Sequence, residues 1–272
     1  NGHEAIYTLP RPVSHYKRPM KSPTSILITG ASSGIGAALA LEYATPGIFL
    51  AISGRNADRL EAVAEAAREK GAEVAAEIID VTDMIAMKDW TRRMDDAHPL
   101  DLVIANAGIS GGGDAQSEDG DTTRDIFAVN MAGVLNTVLP IIAPMQKRRA
   151  GQIALISSLA GFTGLPSAPA YSASKVMVKA WGEAIRGGLK KDGVTVSVVC
   201  PGFVKSRITD QNTFSMPLLM SAPKAARIIC RRLQSGRAVI AFPWPLAAIM
   251  WVIAVLPPCW RLWILSRMPE KG

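Results

Sequence analysis

The chain has 272 residues, 49% of them hydrophobic and 19% charged, with a net charge of +7. That length buries a substantial core, and the composition excludes disordered, collagen-like and repeat-solenoid chains. The basic residues are scattered along the chain, so no nucleic-acid partner is expected; the charge reads as solvated surface, or as one that meets an anionic cofactor or membrane.

Cys200, Cys230 and Cys259 are odd in number and about thirty residues apart. Neither a metal site nor a disulfide framework follows, and a reducing, cytoplasmic setting is expected. The first residues hold no apolar core of the kind a secretory leader needs, so no leader is expected.

Residues 1–23, with Pro10, Pro12, Pro19 and Pro23, read as a loosely ordered arm. From Ser25 onward short apolar runs alternate with segments of helical period. Ile26–Thr29, Ile48–Ser53, Val74–Ile79, Leu102–Ala105, Ile153–Ser157, Val194–Val199 and Ala238–Ala241 are predicted strands. Helices are predicted over 35–44, 57–70, 83–96, 122–148, 171–191 and 222–235. Continuous apolar strands with helical crossovers mean a doubly wound α/β fold, a Rossmann-type parallel sheet of about seven strands covered on both faces. This catalytic domain is expected over 24–242, with a Pro- and Trp-rich extension over 243–272. The segment from Gly111-Gly112-Gly113 to Asp121 reads as a flexible loop, and 206–221 reads as a lid.

The first predicted strand runs into Thr29-Gly30-Ala31-Ser32-Ser33-Gly34-Ile35-Gly36 and then an alanine-rich helix. Glycines let a backbone approach a pyrophosphate closely, and the helix start presents unpaired N–H groups and a favourable dipole. The second strand ends at Gly54-Arg55, with no acidic residue for a free ribose 2′-hydroxyl. Arg55 suits a 2′-phosphate instead, which favours NADP(H) over NAD(H). Downstream stands Tyr171-Ser172-Ala173-Ser174-Lys175, with Ser158 thirteen residues before the tyrosine. Either motif alone is weak; together, in this order, they point to hydride transfer.

These residues, with Asp80-Val81, Asn106-Ala107-Gly108, Asn130 and Pro201-Gly202, resemble the short-chain dehydrogenase/reductase family in its compact single-domain subclass, over about residues 25 to 241. The resemblance implies an oxidoreductase acting on CH–OH groups (EC 1.1.1.-), interconverting a secondary alcohol and a carbonyl. Tyr171 and Lys175, four apart, share a helix face. A phenol is too weak an acid for neutral pH, and a nearby ammonium stabilises its anion. Tyr171 is then the general acid/base and Ser158 holds the same substrate oxygen. By the family's pattern Ser158, not its neighbour Ser157, takes this part.

From the resemblance alone, Lys175 contacts the nicotinamide ribose and Asn130 holds a relay water. Asp80 meets the adenine amino group with Val81 beside the ring, although Asp80 also suits a helix cap. The same resemblance puts Pro201, Gly202, Val204 and Ser206 against the nicotinamide carboxamide. Two departures stand out: Ala105 replaces the first Asn of the Asn-Asn-Ala-Gly motif, and Ser206 stands where Thr is usual. Family members form dimers or tetramers through the helices here predicted near 122–148 and 171–191, and the same is expected. The rival reading is a catalytically silent nucleotide-binding regulator or scaffold, against which the full Asn130, Ser158, Tyr171 and Lys175 set argues.

Ala238 to Trp260 is uncharged over twenty-three residues. Its prolines, Pro243, Pro245, Pro257 and Pro258, oppose one continuous helix. Three readings stand: a subunit interface, an interfacial helix with Trp244, Trp251, Trp260 and Trp263 at headgroup level on the inner face of a membrane, and a true span. The second makes the protein a membrane-associated lipid reductase. The substrate is expected to be a small apolar carbonyl or alcohol, reached past a mouth lined by Met216, Leu218, Leu219 and Met220.

Overall fold

The computed structural model describes residues 22–111, 118–210 and 216–267. Most of the expected N-terminal arm, the centre of the glycine-rich loop and residues 211–215 of the expected lid lie outside the described residues.

Seven parallel strands form one sheet: β1 (Ser25–Thr29), β2 (Phe49–Gly54), β3 (Glu73–Ile78), β4 (Leu102–Ala105), β5 (Gly151–Ile156), β6 (Val194–Pro201) and β7 (Val239–Phe242). Their order is β3-β2-β1-β4-β5-β6-β7. The chain winds outward from β1 to β3, then crosses back to β4 on the other side of β1. Loops diverge at that reversal and leave a crevice at the carboxyl ends of β1 and β4.

The strand sequences explain why both faces are covered. Successive side chains point to opposite faces, and β1 is apolar on both. Ile26 and Ile28 enter one core with Leu39 of α1 (Gly34–Tyr43), Leu60 of α2 (Ala57–Glu69) and Ile229 of α8 (Ala222–Gln234). Leu27 enters the other with Trp90 of α3 (Met84–Ala97), Met145 of α5 (Gly133–Arg148) and Val178 of α6 (Pro169–Lys190).

The predicted helix over 122–148 is built of three pieces. α4 (Gly120–Phe127) leads into a π turn, Ala128–Ala132, and then α5. Pro140 and Pro144 sit within α5. By length and composition Gly120–Arg148 is apolar enough to cross a membrane, the one such stretch among the described residues, but α5 buries Val134, Val138, Ile141 and Met145 in the core. A short helix, α7 (Arg207–Asp210), not anticipated from the sequence, opens the segment read as a lid. Met220 pairs with Val204 in an isolated bridge and is buried, so it lies beneath the expected mouth, whereas Leu218 and Leu219 are exposed.

The tail folds as two helices, α9 (Trp244–Val255) and α10 (Pro258–Leu265). Pro257 separates them. The 12 residues of α9 extend about 18 Å, well short of a bilayer core of about 30 Å, so the spanning reading is corrected. α9 packs on the short 3₁₀ turn Leu159–Phe162 and on β7, burying Met250 and Ile253.

α6, which carries Tyr171 and Lys175, lies close on β5 and β6. At Gly182 a Cβ would stand 2.6 Å from both Leu155 Cδ1 and Val198 Cγ2. Gly182→Leu should therefore lift the helix and cost about 1–3 kcal/mol. Thermal unfolding should fall by roughly 2–4 °C per kcal/mol; an unchanged midpoint would mean that α6 is not held by this approach.

Candidate active site

The turn after β1 is built on backbone contact. Gly30 and Gly34 have φ of +67° and +57°, the left-handed region that glycine enters without strain. Gly36 faces backward: a Cβ there would lie 2.3 Å from the Gly30 carbonyl oxygen and 2.5 Å from the Asn106 amide nitrogen. The Asn106 side chain donates to the carbonyls of Thr29 at 2.9 Å and Gly30 at 3.1 Å. Thr29 Oγ1 accepts from the Asn106 and Ala107 N–H groups. The ends of β1 and β4 are thus tied together, and the free N–H groups at the start of α1 face outward.

Ala105, the departure from the family motif, is buried at the end of β4 within the core, where an asparagine would need a partner.

These elements line a cleft of about 480 Å³ at the carboxyl ends of the strands. Gly30, Ser32, Ser33, Gly34 and Ile35 form one wall; Arg55, Asp80 and Val81 lie at one end. Asn106, Ala107 and Gly108 form the floor, and Ser158, Tyr171, Lys175, Pro201, Gly202, Val204 and Ser206 the other end. Of the residues singled out from sequence, Gly36 and Asn130 do not line it. Gly36 packs behind the turn. Asn130 sits fully buried in the π turn, where its amide donates to the Ile109 carbonyl (2.8 Å) and Ser174 Oγ (3.0 Å) and its oxygen accepts from the Ile109 N–H (2.8 Å). Its side chain is therefore engaged with protein on both ends, and it braces the loop after β4.

At the adenosine end, Arg55 stands 3.8 Å from Asp80 across an exposed gap, a loosely held pair. Asp80 Oδ1 also accepts from the Thr82 N–H and hydroxyl. Burial opposes its charge, but these bonds and Arg55 outweigh it and hold the carboxyl below its ordinary value. Asp83, not Asp80, caps α3. Arg59, on the first turn of α2, also lines the cleft. Sequence reasoning missed it because a lone arginine on a helix reads as surface; the signal was Asn56, which caps α2 through the Arg59 N–H and sets that turn against the end of β2.

At the other end both candidate serines line the cleft, but their contacts differ. Ser157 is buried and donates to the Lys175 carbonyl at 2.8 Å. Ser158 lines the cleft beside Tyr171; its hydroxyl accepts from the Ala160 N–H at 3.1 Å and lies 3.5 Å from the Pro201 carbonyl. The start of α6 has no side-chain cap of its own. Glu118 supplies one from some fifty residues earlier, its carboxylate accepting from the Ala170 N–H and, at 3.2 Å, the Tyr171 N–H. No sequence signal marked it.

Lys175 Nζ donates to the Ile156 carbonyl at 3.0 Å and stands 5.7 Å from the centre of the Tyr171 ring. Gly108 leaves room for it, since a Cβ there would be 3.3 Å from Nζ. Burial lowers the Lys175 ammonium to about 8. Burial also pushes the Tyr171 phenol above its ordinary value, against the opposing hydrogen bond from Ser158. The direction is opposite to the lowering expected from an adjacent ammonium, and its largest cause is desolvation.

A family model described as short chain dehydrogenase matches residues 24–215. An uncharacterized oxidoreductase of Myxococcus xanthus is 38% identical over 232 residues, 85% of this chain and 92% of that protein. A short-chain dehydrogenase from Sphingobium yanoikuyae, solved with NADPH, superposes with a TM-score of 0.74 at 25% identity, covering 91% of this chain and 97% of its own. One from Burkholderia phymatum, solved with NAD, reaches 0.75 at 25% identity, covering 84% and 91%.

The cleft suits a nicotinamide dinucleotide: a close-approach glycine turn, a helix N-terminus for the pyrophosphate and cations at the adenosine end. An acceptor oxygen of a bound dinucleotide placed beside Lys175 Nζ favours its charged form. Affinity for NADPH should therefore be greatest below pH 8 and fall as pH rises through 8, by up to about tenfold per unit. Cys200, pushed up to about 12 by burial, does not titrate there. Titrations at pH 7 and 9 test this, with Lys175→Met expected to flatten the profile; a wild-type profile already flat would refute the role.

Proposed function

The chain belongs to the short-chain dehydrogenase/reductase family of CH–OH oxidoreductases, and from that premise we propose that it reduces an apolar carbonyl compound to a secondary alcohol with NADPH. The observation that carries the reading is the convergence of Ser158, Tyr171 and Lys175 at one end of the cleft whose far wall is the glycine turn.

The bound dinucleotide supplies the hydride. Tyr171 hands its hydroxyl proton to the substrate carbonyl oxygen as that oxygen gains negative charge. A phenol raised by burial is fully protonated at neutral pH, the form that reduction needs. Ser158 donates to the same oxygen, and its fixed place after β5 means that no reorganisation is required as charge develops. Lys175, near 8, sits between its charged and neutral forms and so suits proton return toward Tyr171.

The preference for NADP(H) rests on Arg55 and Arg59. Together they present two guanidinium groups where a 2′-phosphate would lie, while Asp80 is committed to Thr82 and faces Arg55. The likeness to both an NADPH-bound and an NAD-bound protein leaves this choice to the side chains. A dimer or tetramer built on α5 and α6 is part of the same proposal.

Tyr171→Phe should lower kcat by about 10²–10⁴-fold with NADPH affinity within about twofold of wild type; loss of both would mean a structural tyrosine. Arg55→Ala and Arg59→Ala should each weaken NADPH by about tenfold or more and leave NADH almost unchanged. Equal binding of NADH and NADPH by the wild type would remove the basis for the cofactor preference.

A further inference from the structure

The C-terminal pair α9 and α10 carries an apolar surface that the described fold does not cover. Trp244, Trp251, Trp260 and Trp263 are 77%, 58%, 62% and 55% exposed, with Ile249, Val252, Val255 and Leu262 about half exposed or more between them. Scattered exposed apolar residues need no explanation, but a contiguous patch of this kind marks an interaction surface. Its chemistry narrows the partner. From Ala238 to Ser266 the one charged residue is Arg261, and Arg267 follows. Arg267 stacks on Trp263, its guanidinium carbon 4.0 Å from the ring centre, and Arg261 bonds the Ala254 carbonyl, so both cations lie along the apolar helices themselves. Between Asp210 and Glu270 the chain has no Asp or Glu, while it holds Lys224 and six arginines.

We propose that this face seats on the surface of a bilayer containing anionic phospholipid. Tryptophan, with its apolar body and one N–H, favours the headgroup boundary. Arginine covers apolar surface with its stem and reaches phosphate with its head. A second copy is the poorer occupant. A two-fold contact through this patch would bury Arg261 and Arg267 of both copies between surfaces that carry no carboxylate on either helix to pair them.

The helix that carries this face borders the cleft with its packed side. α9 packs on the turn that follows Ser158, and a Cβ at Gly202, a lining residue, would lie 3.1 Å from Leu246 of α9. The consequence for substrate, which rests on the carbonyl-reductase reading, is that a carbonyl compound dissolved in the bilayer reaches Tyr171 from the membrane side.

Sedimentation with vesicles tests the contact in the absence of any cofactor or substrate, so it stands or falls separately from turnover. Vesicles of equal parts phosphatidylglycerol and phosphatidylcholine should bind the full chain about tenfold or more tightly than phosphatidylcholine alone, and about 0.5 M salt should erase most of the gap. Four of the six tryptophans lie on this face, so emission should shift to the blue on binding. Trp251→Glu/Trp260→Glu alters side chains already in solvent; it should keep the wild-type melting temperature and NADPH affinity while vesicle affinity falls by about tenfold or more. No vesicle binding by the wild type overturns the proposal. So does a wild-type dimer by light scattering that this double variant converts to monomer, since the face is then a contact between copies.

Discussion

The structure depends on one close approach of backbone to backbone, at Gly36 against the Gly30 carbonyl. No side chain fits between them, so α1 begins directly over the end of β1 and its first N–H groups point into the crevice. Asn106 extends the same contact across the sheet, bonding the Thr29 and Gly30 carbonyls from the end of β4. The strand order reverses between β1 and β4, so this clamp holds the two lips of the crevice at a fixed separation. The glycines, the asparagine and the threonine form one unit, and the cleft's floor and wall follow from it.

On the other side of the cleft, burial is the dominant force. α6 is drawn onto β5 and β6 at Gly182, and this takes Lys175 out of water, with Nζ held by the Ile156 carbonyl. The cost of desolvating an ammonium appears as its lowered proton affinity, and the same dry environment keeps Tyr171 protonated. Burial thereby moves the two groups apart: the phenol holds its proton more tightly than usual, and the ammonium, at about 8, less tightly. The glycine side of the cleft binds by geometry, and the α6 side is tuned by exclusion of water.

Much of this was readable from the residues alone. Apolar runs such as Ile26–Thr29 and Val194–Val199 are buried on both faces of a parallel sheet, so their pattern carries through to the fold. The glycine turn and the Tyr171–Lys175 pair are local motifs whose spacing reflects turn and helix geometry. What escaped notice was long-range or position-dependent. Glu118 reaches α6 across fifty residues, and nothing in its neighbours announces that. Asn130 braces the loop after β4 through Ile109 and meets Ser174 from within a π turn, long-range contacts that no local pattern announces. Met220 looked like a mouth residue because its neighbours are soft and apolar; pairing with Val204 turns it inward. Arg59 was invisible because helical arginines are ordinarily solvated, and only the Asn56 cap shows which way its turn faces.

The Glu118 contact has an evolutionary and practical corollary. Connecting loops tolerate changes of length and sequence more readily than the elements they join, and the segment between β4 and α4 is such a loop. In this chain the same segment ends in the carboxylate that holds the first turn of α6, directly beneath Tyr171. Loop exchange with a relative therefore cannot be treated as a modular graft. A transplanted loop without its own acid at that point would leave the start of the reactive helix uncapped, so altered selectivity and weakened turnover would arrive together from a single splice.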